Sequence, residues 1–193
     1  MRNILGVLVL GVGTLGCGLA TPHSSAQADD NKGTVVELDA LRSKAPASWK
    51  SEPTNSQFRV YQFQIPRVKG DPADAELVIF YFGEGGGGGV EANIDRWQKM
   101  FEPPAGKKID EVSTLDKMKA GDVNIIFLDV QGTYLERFPP FAPNAKITRK
   151  PDYRMFGVIF DSPKGPYYMR LVGPAKTVAE NKKAFEDWLK AFK

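Results

Sequence analysis

Three stretches of this chain are apolar at consecutive positions: Leu77–Phe82, Ile125–Leu128 and Phe156–Phe160. Each has the length of a β-strand, and strand side chains point alternately to the two faces of a sheet. A strand apolar on both faces needs cover on both, which a sheet open to solvent on one side does not provide. The links between neighbouring strand segments are short. Ala120-Gly121-Asp122 and Ser162-Pro163-Lys164-Gly165 leave no room for a crossover helix, so the pairing is antiparallel. The expected architecture is α+β: a mainly antiparallel β-sheet covered by helices, an α/β/α sandwich.

The remaining elements follow from period and punctuation. Phe58–Ile65 is rich in aromatic and β-branched residues and ends at Pro66, the mark of a strand. Val90, Ile94, Trp97 and Phe101 fall on one face of a helix that Pro103-Pro104 stops. Strands are expected over Lys108–Leu115 and Val123–Arg137, and a hairpin from Met155–Phe160 and Tyr167–Val172. Phe138–Asp152 contains four prolines and is expected to be an ordered, irregular loop. Near the end, Thr177-Val178-Ala179-Glu180 has the form of a capping box, followed by an apolar stripe of Phe185, Trp188, Leu189 and Phe192.

The first 28 residues differ in kind. Arg2 is followed by an apolar or small run, Ile4–Ala20, and then by the small-x-small site Ala26-Gln27-Ala28. This is the grammar of a secretory signal peptide, and the run is too short and glycine-rich for a spanning helix. Cleavage after Ala28 fits best. A competing site, Thr14-Leu15-Gly16-Cys17, resembles a lipobox, which would make Cys17 a lipid anchor. Residues 29–46 then form a flexible leader and a short helix or turn, and residues 47–193 a single globular domain. The expected location is outside the cytoplasm, periplasmic or secreted, or lipid-anchored by the alternative cleavage.

Composition restricts the chemistry. Cys17 and His23 are the only cysteine and histidine in the 193 residues, and both precede Ala28. The exported part therefore forms no disulfide, lacks a histidine base for a serine nucleophile, and lacks the His and Cys ligands on which zinc sites usually rest. No Asp-rich loop has calcium spacing, and no cofactor is expected. Beyond Ala28 there remain 25 basic and 23 acidic residues, without the clustered basic stripe of a nucleic-acid binder.

Several residues remain as candidates. The tract Gly85–Gly89 follows a strand and opens a helix, where backbone N–H groups can meet an anion. It matches G-x-G-x-x-G at Gly83, Gly85 and Gly88, but consecutive glycines satisfy almost any glycine pattern. Val90 and Glu91 stand where a Walker loop has Lys and Ser or Thr. A flexible or left-handed connector is the expectation, with Gly85, Gly86 and Gly87 marking a place of close approach for a ligand or partner. The second candidate surface is the proline-rich loop with Phe138, Phe141, Arg149 and Tyr153. Among the acids, Asp129 interrupts an apolar strand and is expected to be buried in a structural hydrogen bond. Asp71, Asp74, Glu76, Glu84 and Glu91 read as solvated charge.

The segments FYFGEGGGGGVEANIDRWQKMF, LDVQGTY and GPYYMRLVGPAKTVAENKKAFEDWLKAF resemble a family of uncharacterised exported bacterial proteins of planctomycete type. The resemblance runs from Trp49 to the C-terminus and implies no catalytic residues. The element order is similar to the Mog1/PsbP-like sandwich, which implies an accessory or binding role. The function expected is a non-enzymatic binding or accessory domain of the envelope, its partner an envelope protein or small ligand. The alternative is a carboxylate-dependent hydrolase of envelope glycans.

Overall fold

A computed structural model describes residues 33–54, 56–139, 142 and 144–193. The export segment with Cys17 and His23, and the loop residue Phe141, lie outside them. Two short strands, β1 (Val35–Leu38) and β2 (Leu41–Lys44), form a separate hairpin. The main sheet contains β3 (Lys50–Glu52), β4 (Arg59–Ile65), β5 (Ala75–Tyr81), β6 (Phe101–Glu102), β7 (Ser113–Ala120), β8 (Val123–Phe138), β9 (Lys146–Ser162) and β10 (Gly165–Pro174). Its order is β3-β4-β5-β10-β9-β8, with β6 and β7 both pairing along β8. Every ladder among the described residues is antiparallel. Three helices complete the α+β fold: α1 (Val90–Gln98), α2 (Ala175–Glu180) and α3 (Lys182–Lys190).

Both faces of the sheet are covered, as the consecutive apolar runs require. Leu77, Ile79, Phe127, Phe156, Phe160 and Met169 pack beneath α2 and α3, against Val178, Phe185, Trp188 and Leu189. Phe185 is wholly buried and touches the rings of Trp49, Phe127, Phe156 and Trp188. Removing such a side chain from water contributes about 1.5–3 kcal/mol. The intervening residues Leu128, Val130, Met155, Ile159 and Tyr168 face the other way, against Trp97 of α1 and Phe101. Gly157 makes that approach feasible, because a Cβ there would stand 2.5 Å from the Trp97 ring.

The second cover is incomplete. A nine-residue helix is roughly 14 Å long and lies over the β8–β9–β10 half. On the β4–β5 half of that face, Gln62, Gln64, Glu76 and Phe80 stay partly exposed and Phe82 exposed.

Several sequence expectations are corrected. Residues 35–44 are a hairpin instead of a leader with a helix or turn: Val36 and Leu38 are buried while Val35 and Glu37 face out. Asp39 turns it at φ 55°, a conformation Asp tolerates. Its carboxylate accepts hydrogen bonds from the Tyr167 hydroxyl at 3.1 Å, the Lys164 backbone N–H at 3.2 Å and the Ser162 hydroxyl. Arg42 of β2 exchanges backbone hydrogen bonds of 2.9 and 3.2 Å with Lys193. Ile109–Val112 is a 3-10 turn, so the strand expected from Lys108 starts at Ser113. Helix α1 stops at Gln98, and Phe101 sits in β6.

The expected loop 138–152 is largely a two-stranded ribbon, since β8 continues to Phe138 and β9 begins at Lys146. A register shift opposite Thr133 absorbs Pro151 and Asp152 as a β-bulge, where the missing proline N–H costs no ladder bond. The capping box is also absent. The helix begins two residues earlier, at Ala175, directly after Pro174 ends β10. Thr177 is buried inside it, and both its N–H (2.8 Å) and its hydroxyl (2.6 Å) donate to Asp71. A carboxylate from the β4–β5 turn thus supplies the acceptor that the first turn needs.

Candidate functional site

The glycine tract is ordered and its carbonyls point inward. Gly85, Gly87 and Gly88 have φ of 69°, 82° and 83°, the left-handed region that glycine permits. Asn93 of α1 aims its amide at the carbonyls of Gly87, Gly88 and Gly89, at 3.0, 3.3 and 2.9 Å. The Tyr168 hydroxyl stands 2.7 Å from the Gly88 carbonyl and 3.2 Å from that of Gly86. Burial pushes the Tyr168 phenol up, which keeps it a donor. A Cβ on Gly87 would lie 2.3 Å from the Tyr168 ring, and one on Gly86 would lie 2.3 Å from the Phe82 carbonyl. The tract is therefore a close-packed seat on Tyr168. Beside it opens a cleft of about 260 Å³ between Val90, Asn124, Ile126, Ile159 and Asp161, smaller than most small-molecule pockets.

The second candidate surface is not assembled. Tyr153 is buried and stacks on Tyr134 with centroids 6.0 Å apart. Arg149 is engaged by Glu102, and Lys150 by Glu136 at 2.6 Å. Phe138 is strongly exposed, at 73%. It also lies far from the glycine tract. Asn124, beside the tract, and Phe138 are 14 positions apart on β8, which at ~3.3 Å per residue is about 45 Å of strand.

Asp129 is buried, as its place in an apolar strand suggests, but its partners are charged. Arg154 donates to it from two nitrogens, at 2.7 and 2.5 Å, and Lys182 of α3 from 3.0 Å. Both cations also rest on the Phe156 ring, at 5.1 and 5.7 Å. Two cations on one carboxylate, with aromatic rings around, make a satisfied internal knot.

A fourth place escaped the sequence reading. Arg170 interrupts β10 (YYMRLV) much as Asp129 interrupts β8. It points to the half-covered face, where its guanidinium lies 5.2 Å from the Phe80 ring centroid. Arg59 of β4 approaches the same ring at 5.6 Å. Phe80 stacks on Phe82 with centroids 6.0 Å apart and planes 5° from parallel, and Phe58 extends the row at 5.2 Å. Phe58 and Phe82 are 42% and 37% exposed. Arg96 stands on the α1 side, one turn before Met100, whose sulfur lies 3.6 Å from Arg170 Nη1. Among the described residues no carboxylate reaches Arg170, and Glu76 is drawn to Arg59 at 3.8 Å. Burial lowers the pKa of Arg170. Tyr134 and Glu76 oppose that, and the neighbouring positive charges of Arg59 and Arg96 add to it. A guanidinium stays charged even so.

No family model matches the chain, and no curated protein matches it in sequence. Among solved structures it is similar to PA94 from Pseudomonas aeruginosa, a protein of unknown function. The identity is 12%, over 81% of this chain and 93% of that one, with a TM-score of 0.42.

Proposed function

We propose that this chain is an exported, non-enzymatic binding or accessory domain of the bacterial envelope. The observation that carries the reading is the half-covered face of the sheet, where an aromatic row stands beside the guanidinium groups of Arg59 on β4 and Arg170 on β10. Rigid placement lowers the ordering cost of binding, and exposed rings beside charge are typical of recognition surfaces. Two of the acids open to a hydrolase role are engaged in structural contacts, Asp71 at the start of α2 and Asp129 between Arg154 and Lys182. The envelope location rests on the N-terminal signal grammar.

The test has two readouts. Fractionation of cells making the full chain should place it in the envelope with a mature N-terminus at Asp29; full-length protein in the cytoplasm overturns the location. The exported protein, immobilised, should retain a component of an envelope extract saturably and lose it in Phe82→Ser, which leaves both buried clusters intact. Equal retention by the two proteins overturns the assignment of the face.

A further inference from the structure

Arg170 is an unusual residue to find in a sheet without a partner. A charge taken partly out of water is normally paired, because desolvation costs several kcal/mol that only an opposite charge or good hydrogen bonds offset. Asp129 shows the usual solution on the opposite face. Arg170 instead has a thioether sulfur, which is a weak acceptor, and an aromatic ring. Its other donors are not sealed in. Among the described residues the one fully buried side-chain nitrogen or oxygen without a partner is Trp188 Nε1, so the free Arg170 donors are reachable from solvent. They lie on the half-covered face, between Met100 just after α1 and Phe80 of β5.

This part of the face is positive. Arg59 and Arg170 flank Phe80, and Arg96 of α1 is near enough for its positive charge to be felt at Arg170. Among the described residues the one carboxylate within 4 Å of these three guanidinium groups is Glu76, at the long distance of 3.8 Å from Arg59. Like charges gathered on a half-desolvated face repel one another, and an incoming anion relieves that repulsion while accepting several N–H bonds at once. Beside the charges, Phe82 and Phe58 offer exposed aromatic surface on which an apolar body can stack.

We propose that Arg59, Arg96 and Arg170 form the binding site of a small organic anion, a carboxylate or phosphate whose apolar portion lies on the Phe80–Phe82–Phe58 row. The assignment rests on the reading of this face as a binding surface and names its ligand class. Arg170 supplies the half-buried fork, Arg59 the second donor set from β4, and Arg96 a third positive charge from the helix.

Phenyl phosphate is the probe, followed by calorimetry and by the arginine Nε–H resonances of the exported protein. Saturable binding is expected, with shifts confined to those three arginines and with competition by benzoate. Arg170→Met removes the desolvated charge and should keep the fold while weakening binding at least tenfold. If that variant does not fold, Arg59→Gln, a half-exposed site, should weaken binding several-fold with unchanged thermal unfolding. No saturable binding by the unaltered protein, or equal binding by a folded variant, overturns the proposal. So does attachment to phosphatidylglycerol vesicles without binding of phenyl phosphate, which would assign the face to a membrane surface. Retention of an envelope component through Phe82 together with indifference to phenyl phosphate sinks the anion assignment alone. Binding of phenyl phosphate by an unexported protein sinks the envelope location alone.

Discussion

Asp129 and Arg170 are both charges set into otherwise apolar strands, and they look toward opposite faces of one sheet. Asp129 lies under α3 with its carboxylate shared between Arg154 and Lys182. Arg170 lies on the side that the short α1 covers only in part, with a ring and a sulfur for company. A closed ionic knot specifies packing, because each of its groups is already used. A charge left with free donors on a half-covered face retains the capacity to bind. The contrast separates the two faces into one that holds the domain together and one that is free to recognise something.

Loss of the closed knot should have the largest effect. Asp129→Ala leaves Arg154 and Lys182 facing each other without their carboxylate. Because the side chains of Arg154 and Lys182 keep 21% and 36% exposure, the cost is reduced to about 3 kcal/mol, at the low end for a broken buried pair. Urea unfolding should show it as a lower midpoint with an unchanged slope. A change below the error of the method would mean that Asp129 is as dispensable as Arg170.

Next in size is the seat of the glycine tract, which borders the open face. Gly87→Ala places a Cβ against the Tyr168 ring at a positive φ and should cost about 2 kcal/mol in thermal or chemical unfolding. An unchanged midpoint would mean that the loop rides freely above Tyr168.

Alkali should expose the covered side. Burial, and then the Asp39 carboxylate, push the Tyr167 phenol from 10.0 up to about 12. A folded-state pKa above the unfolded one means stability that is complete below pH 10 and is lost as pH rises through 12. The Tyr167→Phe variant should lose stability less steeply over that window. Parallel curves for the two proteins would remove Tyr167 as the cause. The smallest effect belongs to Arg170→Met, expected within about 1.5 kcal/mol of the parent in either direction, since an unpaired half-buried charge is exchanged for an apolar chain of similar length. A loss as large as that of Asp129→Ala would erase the distinction between the two faces.

The layered sheet was legible because Leu77 and Val78, or Phe127 and Leu128, are adjacent apolar residues that cannot share a face. The β9–β10 hairpin was legible from its short turn. Long-range contacts were not. Asp71 serves α2 across 106 residues of chain, and a local capping box imitated that role at Thr177. Prolines around 138–152 suggested a loop because a single bulge that absorbs Pro151 leaves no signature of its own. Hairpin β1–β2 is only four residues per strand, too short for a period to show. At the half-covered face the signal is present and symmetrical: Arg170 interrupts an apolar strand just as Asp129 does.

The backbone pair between Arg42 and Lys193 bears on how the domain is made. The two residues stand 151 positions apart, so closing this contact orders a long stretch of chain. Late closure of a contact with such wide separation slows folding, which keeps the polypeptide loose for longer. Hairpin β1–β2 is thereby tied to the residues that follow α3, and it docks only once the far side of the domain is in place.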